Sequence, residues 1–477
     1  MSTNREFDYK SITELRHLLD SRAISSYELT ERFLNRSEEL ASYGVFITPP
    51  DDSILIEAEK ADEAIKHSNG KGILTGIPVP VKDMESVKGL PFTHGSLPYK
   101  NFISDNDSLT VRRIKNSGGI VAGKTNTPEN GFSGTTENRI CGPARNPWDR
   151  DKTPGGSSGG SAVAVASGLS PFSPGGDGGG SVRIPAGFTG IYGIKPTQGR
   201  SPRYQTGRGS FNITNNSSPG PLTRTVSDSA ITLSIISGFD PQAEYGASTL
   251  EVPDFFAGID ADVTGMKAGW ATTIGGNPVE PEILDLGERA AKIFESLGIA
   301  VEEVNFSPGT YEEIFQTWFD YFCVKGFYVY EKDYKKTPDL LTDYFFGYME
   351  HAQSISGKRM WEVNCNMGWY RNYTNVFFDD YDFLLTPTLA VPAFKINDQP
   401  AVINGQQVIH PLWGFTPYSY LFNLTGNPAA TIPIGFSSSG LPVGLQIVGD
   451  MWSEETILSA SKRFEDVKPW GQYKPEI

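Results

Sequence analysis

The stretch GGDGGGSVRIP, residues 175–185, constrains this chain more than any other. Five glycines and one aspartate lead into a single serine, Ser181. Each glycine loses more conformational entropy on folding than another residue would, so a run of them requires a structural reason. A plain flexible linker fails on context, because the following SVRIPAGFTGIYGIKPT reads as packed structure. Just upstream, GGSAVAVASGL is too rich in alanine for a surface and too short to span a membrane. It predicts a buried helix packed closely against a sheet.

The rest of the chain alternates helix and strand signals. SITELRHLLD and SSYELTERFLNRSEEL predict amphipathic helices, each opened by a capping box, Ser11 to Glu14 and Ser25 to Glu28. ILIEAEKADEAIKH predicts a third helix ending at Asn69-Gly70. ILTGIPVPVKD reads as a strand or extended segment despite Pro78 and Pro80. SLTVRRIKNSGG is a helix with a glycine stop, and IVAGK a short strand. Residues 200–225 read as a long loop. Residues 311–383 are rich in aromatic rings, which predicts helical core first and a wall for an apolar substrate second. AVINGQQVI predicts a hairpin turning at Asn404-Gly405, AATIPIGF and VGLQIVG predict strands, and SEETILSASKRFEDV predicts the last helix. No internal repeat is visible. The alternation predicts an α/β layered fold.

Bulk properties exclude several classes. The formal net charge of −15 argues against nucleic acid or an anionic membrane as the main partner. Cys141, Cys323 and Cys365 are far apart and odd in number, so neither a disulfide framework nor a zinc site follows. The charged N-terminus MSTNREFDYK lacks the apolar core of a signal peptide, and no apolar run approaches the ~18 residues of a membrane span. The expectation is a cytoplasmic protein.

Two short motifs match and are rejected. GGIVAGKT, residues 118–125, fits a P-loop by letter, but a P-loop runs strand, loop, helix, and here a helix precedes and a strand fills the middle. GGSSG, residues 155–159, fits a nucleophile elbow, which needs a strand before the serine and a histidine downstream. Polar DRDKTPGG is no buried strand, and neither His351 nor His410 has a recognisable setting. A serine hydrolase here needs another base. Lysine serves when burial disfavours its charged form, and Lys82, closing GIPVPVK, is the candidate. Taken alone, a surface lysine paired with Asp83 explains it as well.

Lys82 does not stand alone. KTPGGSSGGSAVAVASGLSPFSPGGDGGGSVRIPAGFTGIYGIKPTQGR resembles the glycine- and serine-rich signature of the amidase signature family over its whole length. GIPVPVKD, GKTNTPENGFSG, GPARNPWD and GNPAATIPIGFSSSGLPVGLQIVG are also similar, so the resemblance covers nearly the whole chain and is weakest over about 240–380. It implies a single large domain, 1–477, with a central mixed β-sheet covered by helices on both faces. Within it lie N-terminal helices over 1–70, a catalytic core over 75–225 and an aromatic-rich helical substrate region over 305–385. It implies a triad of nucleophile Ser181, relay Ser157 with a cis peptide, and base Lys82, with no metal or organic cofactor.

The glycine run then has a function. Amide attack by Ser181 builds an oxyanion, and losing one backbone donor to such an oxygen can cost ~3–4 kcal/mol. A tight turn through Gly178, Gly179 and Gly180 points successive N–H groups inward. Asp177, Arg183 and Ser158 are expected to support it, and Gly131 and Ser133 to contact substrate. The chain departs from the commonest family pattern at Gly176 and Gly178, usually Thr, and at Thr189, frequently Cys. The expected reaction is hydrolysis of a small-molecule amide by water, on an apolar or aryl amide, with carbamates and esters as extensions. The alternatives are a glutaminase-like subunit of a tRNA transamidation complex, disfavoured by apolar Ile184 after Arg183, and a catalytically silent scaffold. The resemblance also allows a homodimer.

Overall fold

Both capping boxes form. In the computed structural model, α1 (Ile12–Asp20) and α2 (Ser26–Glu39) each begin with a serine hydroxyl that accepts the N–H of the expected glutamate, whose carboxylate accepts the serine N–H in return. The structure describes residues 7–67, 72–203, 216–243, 248 and 250–477. α3 (Ile54–Lys66) follows, and its expected end at Asn69-Gly70 lies outside the described residues.

A small sheet comes next, with β1 (Phe46–Thr48), β2 (Pro78–Lys82) and β3 (Ile120–Thr125) in the order β1-β3-β2. α4 (Leu109–Asn116) runs directly into β3, so residues 118–125 pass from helix to strand and form no phosphate loop.

The large sheet holds β4 (Phe172–Asp177), β5 (Tyr192–Lys195), β6 (Ser218–Thr223), β7 (Lys267–Trp270), β8 (Ala300–Glu303) and β9 (Phe383–Pro387). A separate hairpin, β10 (Val402–Ile403) and β11 (Gln406–Gln407), turns at Asn404 and Gly405 with φ of 46° and 74°. β12 (Ala429–Phe436) and β13 (Pro442–Gly449) complete the large sheet, in the order β4-β6-β5-β12-β13-β9-β7-β8. β7 pairs in parallel with β8 and β9, and the other pairs are antiparallel, so the sheet is mixed.

Helices cover both faces. α5 (Gly159–Ala166) is buried along its whole length, as its composition predicts. α6 (Arg183–Thr189), α7 (Val226–Ile236), α8 (Pro281–Ser296), α9 (Tyr311–Lys336), α10 (Asp343–Ser354), α11 (Gly357–Phe377), α12 (Leu421–Thr425) and α13 (Glu454–Val467) follow. Successive strand residues point to opposite faces. On β5, the Tyr192 hydroxyl lies 3.3 Å from Ser461 Oγ on α13, while a side chain at Gly193 would meet Ala186 of α6.

Two strands correct the sequence reading. Within the expected loop over 200–225, residues 218–223 are β6, and residues 204–215 lie outside the described residues. Pro219, Gly220 and Pro221 hide this strand, yet β5 pairs with it only at Leu222 and Thr223, beyond the prolines. Gly175 to Asp177, in a glycine run that carries no strand signal, are the end of β4. Pro78, Pro80 and Pro174 have no N–H to donate. Serine hydroxyls join β2 to β4 instead: Ser173 Oγ donates to the Pro80 carbonyl at 2.7 Å, and Ser170 Oγ to that of Pro78 at 3.1 Å. Lys82 and Asp177, the last residues of the two strands, therefore end together.

Candidate active site

Three chain ends meet at one cavity of about 130 Å³: the end of β2, the turn after β4, and the residues before α5. Lys82, Ser157, Gly178 and Ser181 all line it. The peptide Gly156–Ser157 is cis.

Lys82 is 2% exposed. Its Nζ lies 2.7 Å from Ser157 Oγ and 2.9 Å from Ser158 Oγ, both neutral groups. Asp83 is not its partner. That carboxylate forms a fully buried ion pair with Lys124, the lysine of the rejected P-loop match. Burial, with the positive charge of Arg203 behind it, pushes the Lys82 ammonium well below the lysine range, and Asp177 and Glu85 oppose this without offsetting it. Ser158 is a second hydroxyl on the same amine, and its N–H donates to the Ser181 carbonyl at 3.2 Å. Ser157 and Ser181 share the cavity, with no hydrogen bond between their hydroxyls among the described residues.

The glycine turn is held by its carbonyls. Asn423 Nδ2 donates to the Asp177 carbonyl at 3.0 Å, Trp318 Nε1 to that of Gly178 at 3.1 Å, and Ser419 Oγ to that of Gly179 at 2.7 Å. The Ile184 N–H closes on the Gly180 carbonyl at 2.7 Å. Each carbonyl of the turn thus has a donor, and Gly178 and Ser181 line the cavity. One expected donor is corrected. The Gly180 N–H donates to Asp177 Oδ1 at 2.8 Å and is not free for a ligand. The amides of Gly178, Gly179 and Ser181 carry no protein hydrogen bond among the described residues.

Gly179 and Gly180 are glycine for steric reasons. A Cβ at Gly179 would lie 2.5 Å from Trp318 Cζ2, and one at Gly180, where φ is 117°, 2.5 Å from Ser419 Oγ. Gly178 differs, since its nearest neighbour would be Ser217 at 3.4 Å, so glycine there leaves room on the cavity wall.

Asp177 and Arg183 brace the turn. The carboxylate accepts the N–H groups of Gly180 and Val182 and two guanidinium donors of Arg183, at 3.0 and 2.9 Å. Burial alone raises this carboxyl, but the charge and hydrogen bonds of Arg183 outweigh it and hold the group well below the carboxylate range. Arg183 also donates to the Ser419 carbonyl, Gln446 and Asn423. Thr189 donates to the Pro185 carbonyl within α6 and is not on the cavity wall.

The aromatic section forms core and also reaches the cavity wall. Trp318 is core, stacked at 4.8 Å on Phe322 and at 5.2 Å on Tyr420. Tyr321, Phe322 and Tyr330 of α9 line the cavity with Phe132, whose ring stacks on Phe322 at 4.1 Å. Gly131 lies on the cavity wall. Ser133 does not: it is buried beside Thr135, 3.1 Å from its hydroxyl, off the cavity wall. Sequence reasoning missed Arg203, Ser419 and Asn423. The available signal was Asn423, a polar residue inside the apolar run YLFNLTG. No helix among the described residues is long and apolar enough to cross a membrane.

With this geometry in place, comparison with known proteins defines the class. The Amidase family profile matches residues 28–458, and the chain belongs to that family. It is an amidase signature amidohydrolase, acting on C–N bonds. Among curated relatives, it is 33% identical to an acylamidase of Rhodococcus erythropolis, covering 99% of this chain and 98% of that one. It is 32% identical to a glutamyl-tRNA(Gln) amidotransferase subunit of Sulfurihydrogenibium sp. (strain YO3AOP1), over 98% of this chain and 99% of that one. Among solved structures, a bacterial aryl acylamidase of the amidase signature family superposes with a TM-score of 0.92 at 31% identity, over 98% of both chains. A 6-aminohexanoate cyclic dimer hydrolase in complex with substrate superposes with a TM-score of 0.88 at 26% identity, over 98% of this chain and 99% of that one.

Proposed function

We propose that the protein hydrolyses a small apolar or aryl amide through an acyl-Ser181 intermediate. The observation that carries this reading is the buried Lys82 amine, 2.7 Å from Ser157 Oγ on the wall of the cavity that Ser181 lines. Neutral Lys82 accepts the Ser157 proton while Ser157 accepts that of Ser181. The Ser181 oxygen bonds to the amide carbon. The amides of Gly178, Gly179 and Ser181 hold the resulting oxyanion. Ser157 passes a proton to the nitrogen as the C–N bond breaks, and the amine leaves. Water then loses a proton to the same relay, attacks the acyl carbon, and releases the acid with Ser181 reprotonated.

Rings from Phe132, Tyr321, Phe322 and Tyr330 on the cavity wall favour an apolar or aryl acyl or amine part. Carbamates and esters present the same carbonyl to the same groups. The second reading, a glutaminase-like subunit, is favoured by the names of several relatives and disfavoured by Ile184, which is apolar and fully buried. The test is hydrolysis of aryl and alkyl amides, a carbamate, an ester and glutamine by wild type and Ser181→Ala, at about pH 7 and 9. Turnover of anilides lost in the variant is expected. Turnover that survives in Ser181→Ala overturns the nucleophile, and glutamine as preferred substrate supports the second reading.

A further inference from the structure

Gly176 separates two basic side chains, Lys82 and Arg203. Its carbonyl oxygen lies 3.5 Å from Lys82 Nζ. On its other side, a Cβ at this position would run into Arg203 Nη2, and the Arg203 guanidinium is the only group among the described residues within 4 Å of that point. Gly176 is extended backbone within β4, so no unusual dihedral requires glycine here. What the bare backbone provides is the space that the guanidinium fills. Arg203 lines the same cavity as Lys82, Ser157 and Ser181.

We propose that Arg203 is a positioning residue for the base: its guanidinium, admitted by Gly176, keeps the Lys82 amine neutral and able to accept a proton. This rests on the relay reading above. The other groups around Lys82 do not do this work. Ser157 and Ser158 are neutral. Asp177 and Glu85 favour the ammonium. Asp83 and Lys124 neutralise each other in their own pair. His94 and Lys325 also line the cavity, His94 beside Tyr330 with its Nδ1 3.3 Å from the phenol oxygen, and Lys325 on α9. Among the charged side chains around Lys82, Arg203 is the one that pushes in the same direction as burial.

The test is the pH dependence of kcat/KM for an anilide, from about pH 5 to 10, in the full-length enzyme. Wild type is compared with Arg203→Gln, Arg203→Lys and Gly176→Ala. Arg203→Gln should move the acid limb up by about one pH unit, giving about tenfold lower kcat/KM below the limb and convergence with wild type above it. Arg203→Lys keeps the charge and should stay near wild type. Gly176→Ala keeps the arginine but displaces its guanidinium, so it should move the limb in the same direction as Arg203→Gln. A merely structural arginine would lower the rate equally at every pH. An unmoved limb in both Arg203→Gln and Gly176→Ala overturns this proposal alone. Wild-type turnover retained in Lys82→Met overturns the Lys82 relay, and this proposal with it.

Discussion

Lys124 Nζ lies 2.6 Å from Asp83 Oδ1, while Lys82, the chain neighbour of that aspartate, points at two serine hydroxyls. The two lysines are both buried, yet one is paired with a carboxylate while the other meets neutral hydroxyls and has its ammonium pushed down by burial. This difference separates their contributions to stability.

Lys124→Met leaves Asp83 buried without a counter-charge and should cost ~3–5 kcal/mol in urea unfolding. Lys82→Met replaces a neutral amine with an apolar chain of similar length and should stay within about 1 kcal/mol of wild type at high pH. The sign of the pH effect follows from the depressed Lys82 value. Below the usual lysine pKa of 10.5 the unfolded chain binds a proton that the folded site rejects, so Lys82 opposes folding there. That cost shrinks as pH rises toward 10.5. Lys82→Met should therefore gain stability relative to wild type at neutral pH, with the gain fading in alkali, while its amidase activity falls by about a thousandfold or more.

The carbonyls of the glycine turn offer a graded test of the oxyanion role proposed for it. Trp318→Phe keeps the ring but removes the donor to Gly178, and should lower kcat about fivefold with KM little changed. Gly179→Ala collides with Trp318 and should lower kcat by about a hundredfold or more. Gly178→Ala has space beside Ser217 and should stay within about tenfold of wild type. Steady-state kinetics on one anilide would rank all three.

Phe322 stacks between Phe132 and Trp318 and faces the cavity. Phe322→Ala should raise KM for aryl amides about tenfold, with a smaller effect on a short aliphatic amide. Equal effects on both substrates would place the ring in the core only.

How much of this was legible in the sequence depended on how local the signal was. Capped helices, the Asn404-Gly405 hairpin and the alanine-rich α5 were readable because their determinants lie within a few residues. β4 and β6 were hidden because proline and glycine usually end strands, and only their tertiary pairing reveals that they continue one. At the site, Ser157 and Ser181 could be picked out because they sit in a long signature, and Lys82 because it closes the separate similar segment GIPVPVKD. Their holders could not. Trp318, Ser419 and Asn423 reach the turn from well over a hundred residues away, and no spacing in the chain encodes that meeting. The Gly180 amide was misassigned although Asp177 is only three residues away, since the conformation of the turn decides which amide the carboxylate accepts from.

The joint between β2 and β4 has a mechanical consequence. A ladder shares load among many backbone bonds, but here two serine hydroxyls bridge a line of prolines. The Lys82 amine stands at the end of one strand and the glycine turn at the end of the other. Their alignment thus depends on a side-chain joint and not on a continuous backbone ladder. Local opening along that joint separates the two halves of the site while the large sheet stays intact. Turnover in mild denaturant is therefore a strain gauge for this joint, and it should fail before spectroscopic signals of secondary structure change.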